Sequence, residues 1–364
     1  MHVVVVGAGI VGYAVAYELA SRGAEVTVVD GRGKGQGATR ASAGVLAPHI
    51  EGHVEALLRL GVSSLDRYDG FVERVAADAR RPIEYRRLGT LQVARNDAEA
   101  RELTRHAAVL ERRGVPHTVV GGSEIRGIEP ALAPLAAGLL TPQHGYVGVA
   151  TLMAALADAA AVRGVSLLTS RVQGIKHDVA GRIWVNTLRE ALDAEAVVLA
   201  AGSWSGTIPI VSAAPPPVHP IRGQLLQLRF PAPPLAHVVW GAASYLVPWA
   251  DGSLLAGATM EDVGFDESVT VAGVRHLISG AEELLPAVAS AALHEARAGL
   301  RPKTSDELPI IGASSTMRGV FYATGHHRNG VLLAPLTAAA IANLVLEGRE
   351  CEELALTRPS RFGL

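Results

Sequence analysis

Gly325-His326-His327-Arg328-Asn329-Gly330 sets four hydrogen-bonding side chains between two glycines and runs straight into the apolar Val331-Leu332-Leu333-Ala334-Pro335. Residues of these types at this density suit a general base, a metal site, a loop that meets a ligand, or only a well-capped helix start. A metal site lacks its remaining donors, because no nearby carboxylate or third ligand completes the two imidazoles, so no metal is expected. The single cysteine, Cys351 in the acidic stretch GRECEEL, excludes an intramolecular disulfide and any cysteine-rich metal site. Three more side chains carry chemistry. Arg301 in GLRPKT offers a planar, permanently charged fork for a carboxylate, or equally a salt bridge at a strand end. Tyr245 in SYLVPW and Met260 in GATMED, taken alone, read as a sheet residue and as packing.

The elements that must position these groups start at the N-terminus. Val3 to Val6 is a β-branched run with no polar face, as expected of a central parallel strand covered on both sides. It feeds Gly7-Ala8-Gly9-Ile10-Val11-Gly12, then a helix ending near Gly23, then a second strand, Glu25 to Val29, that stops at Asp30. In such an order Gly7 makes the tight turn, Gly9 lets a pyrophosphate approach the backbone, and Gly12 lets helix and strand pack. The helix N-terminus at Ile10 and Val11 turns its free amides and dipole toward the phosphates. Asp30, 18 residues beyond Gly12, can accept hydrogen bonds from both adenosine ribose hydroxyls. The pattern means dinucleotide binding, without separating FAD from NAD. The small, glycine-spaced segment GATRASAGVLAP at 37–48 favours a backbone lying against an extended ligand, most of all at Ala43-Gly44-Val45-Leu46.

The 364 residues are 49% hydrophobic and 19% charged with a formal net charge of −2, a globular profile that gives no electrostatic reason for a nucleic acid or an anionic membrane as partner. The N-terminus lacks a basic leader, and no apolar run approaches the ~20 residues of a spanning helix, so no membrane insertion and a cytoplasmic location are expected. Helices are expected over 55–79, 97–113, 150–165 and 270–285. Strands are expected at 83–94 around Gly89, 165–169, 182–188, 196–200, 237–240, 244–249, 253–258 and 319–323. Residues 121–142 read as a loop and returning strand, and the prolines of 213–234 as loops and edge strands. The strand 196–200 runs into Ala201-Gly202-Ser203-Trp204-Ser205, a small-residue turn where an open α/β sheet binds its ligand. After Arg328 a helix begins, with Pro335 inside its first turn. Nucleotide-type βα units at both ends bracket β-rich material, which predicts two domains that exchange the chain more than once.

Taken together, GAGIVG with Asp30, AGVLAP, IRGQLL, AGLRPKTSDELPIIG and GHHRNGVLLAP resemble the FAD-dependent D-amino acid oxidase family, and within it the glycine oxidase branch linked to thiamine synthesis. The resemblance spans residues 2 to about 348. It implies an α/β (α+β overall) fold: a Rossmann-type FAD-binding domain, about 1–82, 143–219 and 299–364, interleaved with an antiparallel-sheet substrate domain, about 83–142 and 220–298. It implies non-covalent FAD, since Cys351 lies too far along the tail to attach a flavin. Gly7, Gly9, Gly12 and Asp30 would hold its ADP half, Ala43, Gly44 and Leu46 would approach the flavin, and Val172 would add backbone contacts near the adenine. Ala201 and Gly202 continue the wall, and the backbone from Arg328 through Asn329, Gly330, Val331 and Leu332, with His327 before it, would meet the flavin pyrimidine edge. Arg301, Tyr245 and Arg328 would fix a substrate carboxylate and Met260 would line a small pocket. Two departures stand out: charged Arg40 where a small or apolar residue is expected, and Gly241-Ala242-Ala243 where polar residues are common.

The implied activity is oxidative deamination of a small amino acid or amine such as glycine, sarcosine or a small D-amino acid. Hydride passes to FAD, and dioxygen then gives hydrogen peroxide while the imine hydrolyses to an oxo acid and ammonia. Relatives imply a tetramer. A D-amino-acid dehydrogenase feeding a quinone, an NAD-dependent dehydrogenase and a non-catalytic flavin-binding module are the alternatives. Peroxide formation, flavin colour and substrate-induced bleaching discriminate them.

Overall fold

The computed structural model describes residues 1–50, 54–178, 181–211 and 213–364. Its centre is a six-stranded sheet in the order Ile310–Ala313, Val320–Thr324, Ala196–Leu199, His2–Val6, Glu25–Asp30, Ser166–Thr169. All neighbours are parallel except the first pair. Val3 to Val6 pair on one side with Ala196 to Leu199 and on the other with Val26 to Val29, and are buried. That double burial is why the segment carries no polar residue. The helices Ile10–Ser21 and Gly330–Glu347 pack against each other over this sheet, with Glu55–Asp66 on the far side of the second.

An eight-stranded sheet runs Ala292–Thr304, Val218–Arg229, Ser253–Gly257, Tyr245–Pro248, Val238–Trp240, Thr90–Ala94, Ala137–Thr141, Thr118–Gly121. Only the pair of 238–240 with 90–94 is parallel. The long strands Val218–Arg229 and Ala292–Thr304 run through the expected borders at 219/220 and 298/299, so they carry the chain between its halves. Pro220 is tolerated because the first half of its strand pairs only with 292–304, where it opposes Pro302; the second neighbour begins at Leu225.

Several expectations shift. Tyr85–Arg86 and Thr90–Ala94 join different sheets, and 121–142 adds a helix, Gly122–Ile128. The strands Val172–His177 and Ala191–Ala194 flank Ile183–Thr187 in an antiparallel meander. The stretch His327–Glu347 is long and apolar enough to cross a membrane by composition, but most of it is buried inside the protein. It is a core helix, apolar all round because it is packed all round.

Candidate active site

A cleft of about 400 Å³ is lined from both large sheets. At one end stands the glycine turn. Gly7 has φ +116°, and a Cβ there would lie 2.3 Å from the Ala200 carbonyl oxygen, so no other residue fits. Gly12 does not line the cleft; its hypothetical Cβ would lie 1.9 Å from the Gly7 carbonyl, so it serves the packing of helix on turn. Gly9, Ile10 and Val11 do line it, and the N-cap residue, Gly9, has no side chain to cap the helix there. The Asp30 carboxylate accepts from the backbone N–H groups of Ala8 (2.8 Å), Arg32 (2.6 Å) and Gly33 (3.0 Å). It therefore fastens the turn to the second strand while lining the cleft. Thr39 is buried in the cleft wall and accepts from the Ile10 N–H at 3.0 Å. Its signal was its place in the small-residue segment 37–48.

Ala43, Gly44, Ala201 and Gly202 line the cleft. Leu46 does not. It is fully buried in the core, because the strand Val45–Leu46 alternates its faces and gives the cleft Val45 instead. Val172 begins a strand paired with Thr187 and does not line the cleft either. Arg40, the charged departure in this segment, does not line the cleft and makes an ion pair with Glu295 at 2.8 Å.

The opening motif divides in two. His326 is buried, its Nε2 lies 3.0 Å from Thr337 Oγ1, and burial pushes the imidazole down to about 3, so it is a neutral core residue. His327 lines the cleft with φ +48°. Burial first, then the charges of Arg328, Arg301 and Lys303, push it down to about 4. Its Nε2 is buried without a hydrogen-bond partner among the described residues, which suits contact with a bound group. Arg328 is exposed at the rim, and Asn329 to Leu332 line the cleft where the helix begins with no side-chain cap.

Pro335 is the sixth residue of that helix, not part of its first turn. It has no N–H to give the Val331 carbonyl, which accepts instead from the buried Tyr68 hydroxyl at 2.9 Å. One residue on, Ser64 Oγ donates to the Leu332 carbonyl (2.6 Å) and accepts the Leu336 N–H (3.3 Å), entering the helix ladder. Neither partner was legible in sequence, where both sit among ordinary helical spacing.

At the other end the side chains lie over glycines. The Arg301 guanidinium lies over Gly223, where a Cβ would come within 2.2 Å of it, and Nη1 donates to the Thr259 carbonyl at 2.8 Å. Tyr245 opposes Gly257 across the sheet, with its hydroxyl 2.5 Å from where a Gly257 Cβ would stand and its ring 4.8 Å from that of Trp240. Met260 stands at the lip, 64% exposed, and Gly241, Ala242 and Ala243 complete the wall. The cleft thus joins a dinucleotide cradle to a cationic end suited to a carboxylate. Among the described residues no cluster of metal-binding side chains occurs.

The sequence profile described as DAO, FAD dependent oxidoreductase, matches residues 2–344. This chain belongs to that family. It is 33% identical to the glycine oxidase of Geobacillus kaustophilus over 97% of its own length and 95% of that protein's. The crystal structure of glycine oxidase from the same organism superposes with a TM-score of 0.92, at 34% identity, covering 98% of this chain and 97% of that one. A bifunctional protein ThiO/ThiG of Nostoc sp. is 35% identical over 95% of this chain and 52% of its own length. The protein is therefore an FAD-dependent oxidoreductase of the glycine-oxidase-like kind. The residues present fit FAD: the helix start at Gly9 and the glycine turn suit its phosphates. The start of Gly330–Glu347, which its N-cap residue Asn329 does not cap, and the unpartnered His327 Nε2 border the space beyond.

Proposed function

We propose that this protein oxidises a small amino acid or amine, with glycine, sarcosine and small D-amino acids as its substrate class, using dioxygen as electron acceptor and non-covalent FAD. The observation that carries this reading is the Arg301 guanidinium laid over Gly223 in the same cleft as the glycine turn. When bound, FAD supplies the hydride acceptor and passes the electrons to dioxygen, giving hydrogen peroxide, while the imine hydrolyses to an oxo acid and ammonia. Arg301 holds the substrate carboxylate with a fork whose other face is fixed by the Thr259 carbonyl, and the Tyr245 hydroxyl donates beside it. Trp240, Ala242, Ala243 and Met260 bound a pocket whose apolar wall admits a methyl on carbon or nitrogen. The amine binds deprotonated, so no side-chain base is needed, in keeping with a His327 that stays neutral. The amides at the start of Gly330–Glu347 present positive partial charge to the cleft. Similarity to glycine oxidase supports glycine as first substrate, and similarity to half of the ThiO/ThiG protein supports a place in thiamine synthesis. The test is anaerobic bleaching of the yellow protein by glycine, sarcosine, D-alanine and D-proline, followed by air and a peroxide assay. Bleaching without peroxide points to another acceptor, and no bleaching by any of them overturns the reading.

A further inference from the structure

Arg301 Nη1 donates to the Thr259 carbonyl, so the direction of its fork depends on where that carbonyl stands. Thr259 lies just past the strand Ser253–Gly257, in the stretch 258–270 that has no regular helix or strand before Val271. A stretch of this kind is placed by its bonds, and here they converge on one carboxylate. Glu261 Oε1 accepts from the Thr259 hydroxyl (2.5 Å) and from Gln224 Nε2 (2.7 Å). Its Oε2 accepts from Arg222 Nε (3.2 Å) and Nη2 (2.5 Å). The backbones of Arg222 and Glu261 exchange both hydrogen bonds, at 2.8 and 2.9 Å, and Gln224 N–H donates to Thr259 Oγ1 at 2.9 Å. Arg222 also pairs with Asp266, and Gln224 bonds Thr270 twice, closing the far end of the stretch.

Strand alternation makes this arrangement economical. Arg222 and Gln224 turn to one face of Val218–Arg229 and grip Glu261, while Gly223 between them faces the other way and floors Arg301. Arg222 is 4% exposed, so its charge requires the Glu261 and Asp266 carboxylates. Burial raises the Glu261 pKa, but the bonds from Thr259, Arg222 and Gln224 outweigh it and hold the group below the usual range.

We infer that Glu261 is a positioning residue for the substrate carboxylate: through Thr259 it fixes the direction in which Arg301 presents its guanidinium. The inference rests on the reading of Arg301 as the carboxylate anchor. It has a sign of its own. Glu261 is an anion near an anion site, so by charge alone its removal strengthens carboxylate binding, whereas loss of positioning weakens it.

The experiment measures the dissociation constant of acetate from perturbation of the flavin absorbance of the FAD-loaded protein, in wild type, Glu261→Gln, Glu261→Ala, Arg301→Ala and Glu261→Ala/Arg301→Ala. The inference expects Glu261→Ala to weaken acetate by about tenfold and Glu261→Gln, which keeps one acceptor oxygen, by about threefold, both with unchanged flavin content. In the Arg301→Ala background Glu261→Ala then adds less than about twofold, because the two act as one unit. Acetate bound as well or better by Glu261→Gln, or an equal loss in both backgrounds, overturns the inference. Should Glu261→Ala not fold, Glu261→Gln decides by the same sign. Arg301→Ala that binds acetate like wild type overturns the anchor reading itself, an outcome distinct from a weak Arg301→Ala beside an unaffected Glu261→Gln.

Discussion

The two ends of the cleft are built by opposite means. The cofactor end is backbone: a glycine turn, two helix starts, and an aspartate that spends its carboxylate on three amides. The carboxylate end is side chain: an arginine, a tyrosine and a methionine drawn from separate strands or their ends, each placed by neighbours distant in sequence. A backbone site needs what is missing, a Cβ, and its glycine turn, first helix start and aspartate lie within one βαβ unit. A side-chain site needs a floor and a clamp, and the chain gathers those from far apart.

The largest expected effect tests the backbone end. Gly7→Val puts a branched side chain at φ +116° into the Ala200 carbonyl, and both residues directly follow the paired strands His2–Val6 and Ala196–Leu199, which hold them in place. We expect purified protein without bound flavin and a melting transition at least several degrees lower; a yellow, normally stable variant would break the comparison. Next is Gly223→Ala, which tests the floor of the other end. Its Cβ displaces the flexible Arg301 guanidinium, not backbone, so flavin content stays normal while KM for the amino acid rises by about tenfold or more. Tyr68→Phe strips the Val331 carbonyl of its partner beside Pro335. We expect about 1–3 kcal/mol of lost stability by thermal or denaturant unfolding, with weaker flavin retention.

Another effect is one of pH. His326 has a folded pKa near 3 against an unfolded value of about 6.5, so the unfolded chain binds the extra proton between these limits. Stability is full above about 6.5 and falls as pH drops toward 3, by up to about 1.4 kcal/mol per pH unit from this residue. Unfolding midpoints of His326→Gln should fall less steeply over pH 6.5 to 4, and an unchanged slope would assign the pH dependence elsewhere. The smallest effect is Arg40→Ala, which removes an exposed ion pair with Glu295 and should change neither flavin content nor turnover measurably.

The contrast also explains what the sequence disclosed. Gly7 to Gly12 and Asp30 were readable because strand, turn, helix and acid follow within 30 residues, each with a local reason. The order of strands around Arg301 was not local, and only the resemblance carried by GLRPKT and GHHRNG pointed to Arg301, Tyr245 and Arg328. Leu46 was misplaced because a two-residue strand gives no alternation to count. Pro335 was placed one turn early because a helix start cannot be fixed when Ser64 and Tyr68 repair the ladder from other helices. The prominent histidines proved unequal: both line the cleft, but His326 is buried and held by Thr337, whereas the His327 Nε2 is without a partner among the described residues.

The central claim is that this cleft anchors a substrate carboxylate on Arg301 independently of holding FAD. Anaerobic mixing of Arg301→Ala with glycine, sarcosine or D-proline, followed by flavin absorbance, tests it most directly. The account predicts a protein with full flavin content whose bleaching is slowed by at least about a hundredfold at subsaturating substrate. Bleaching at the wild-type rate would contradict it.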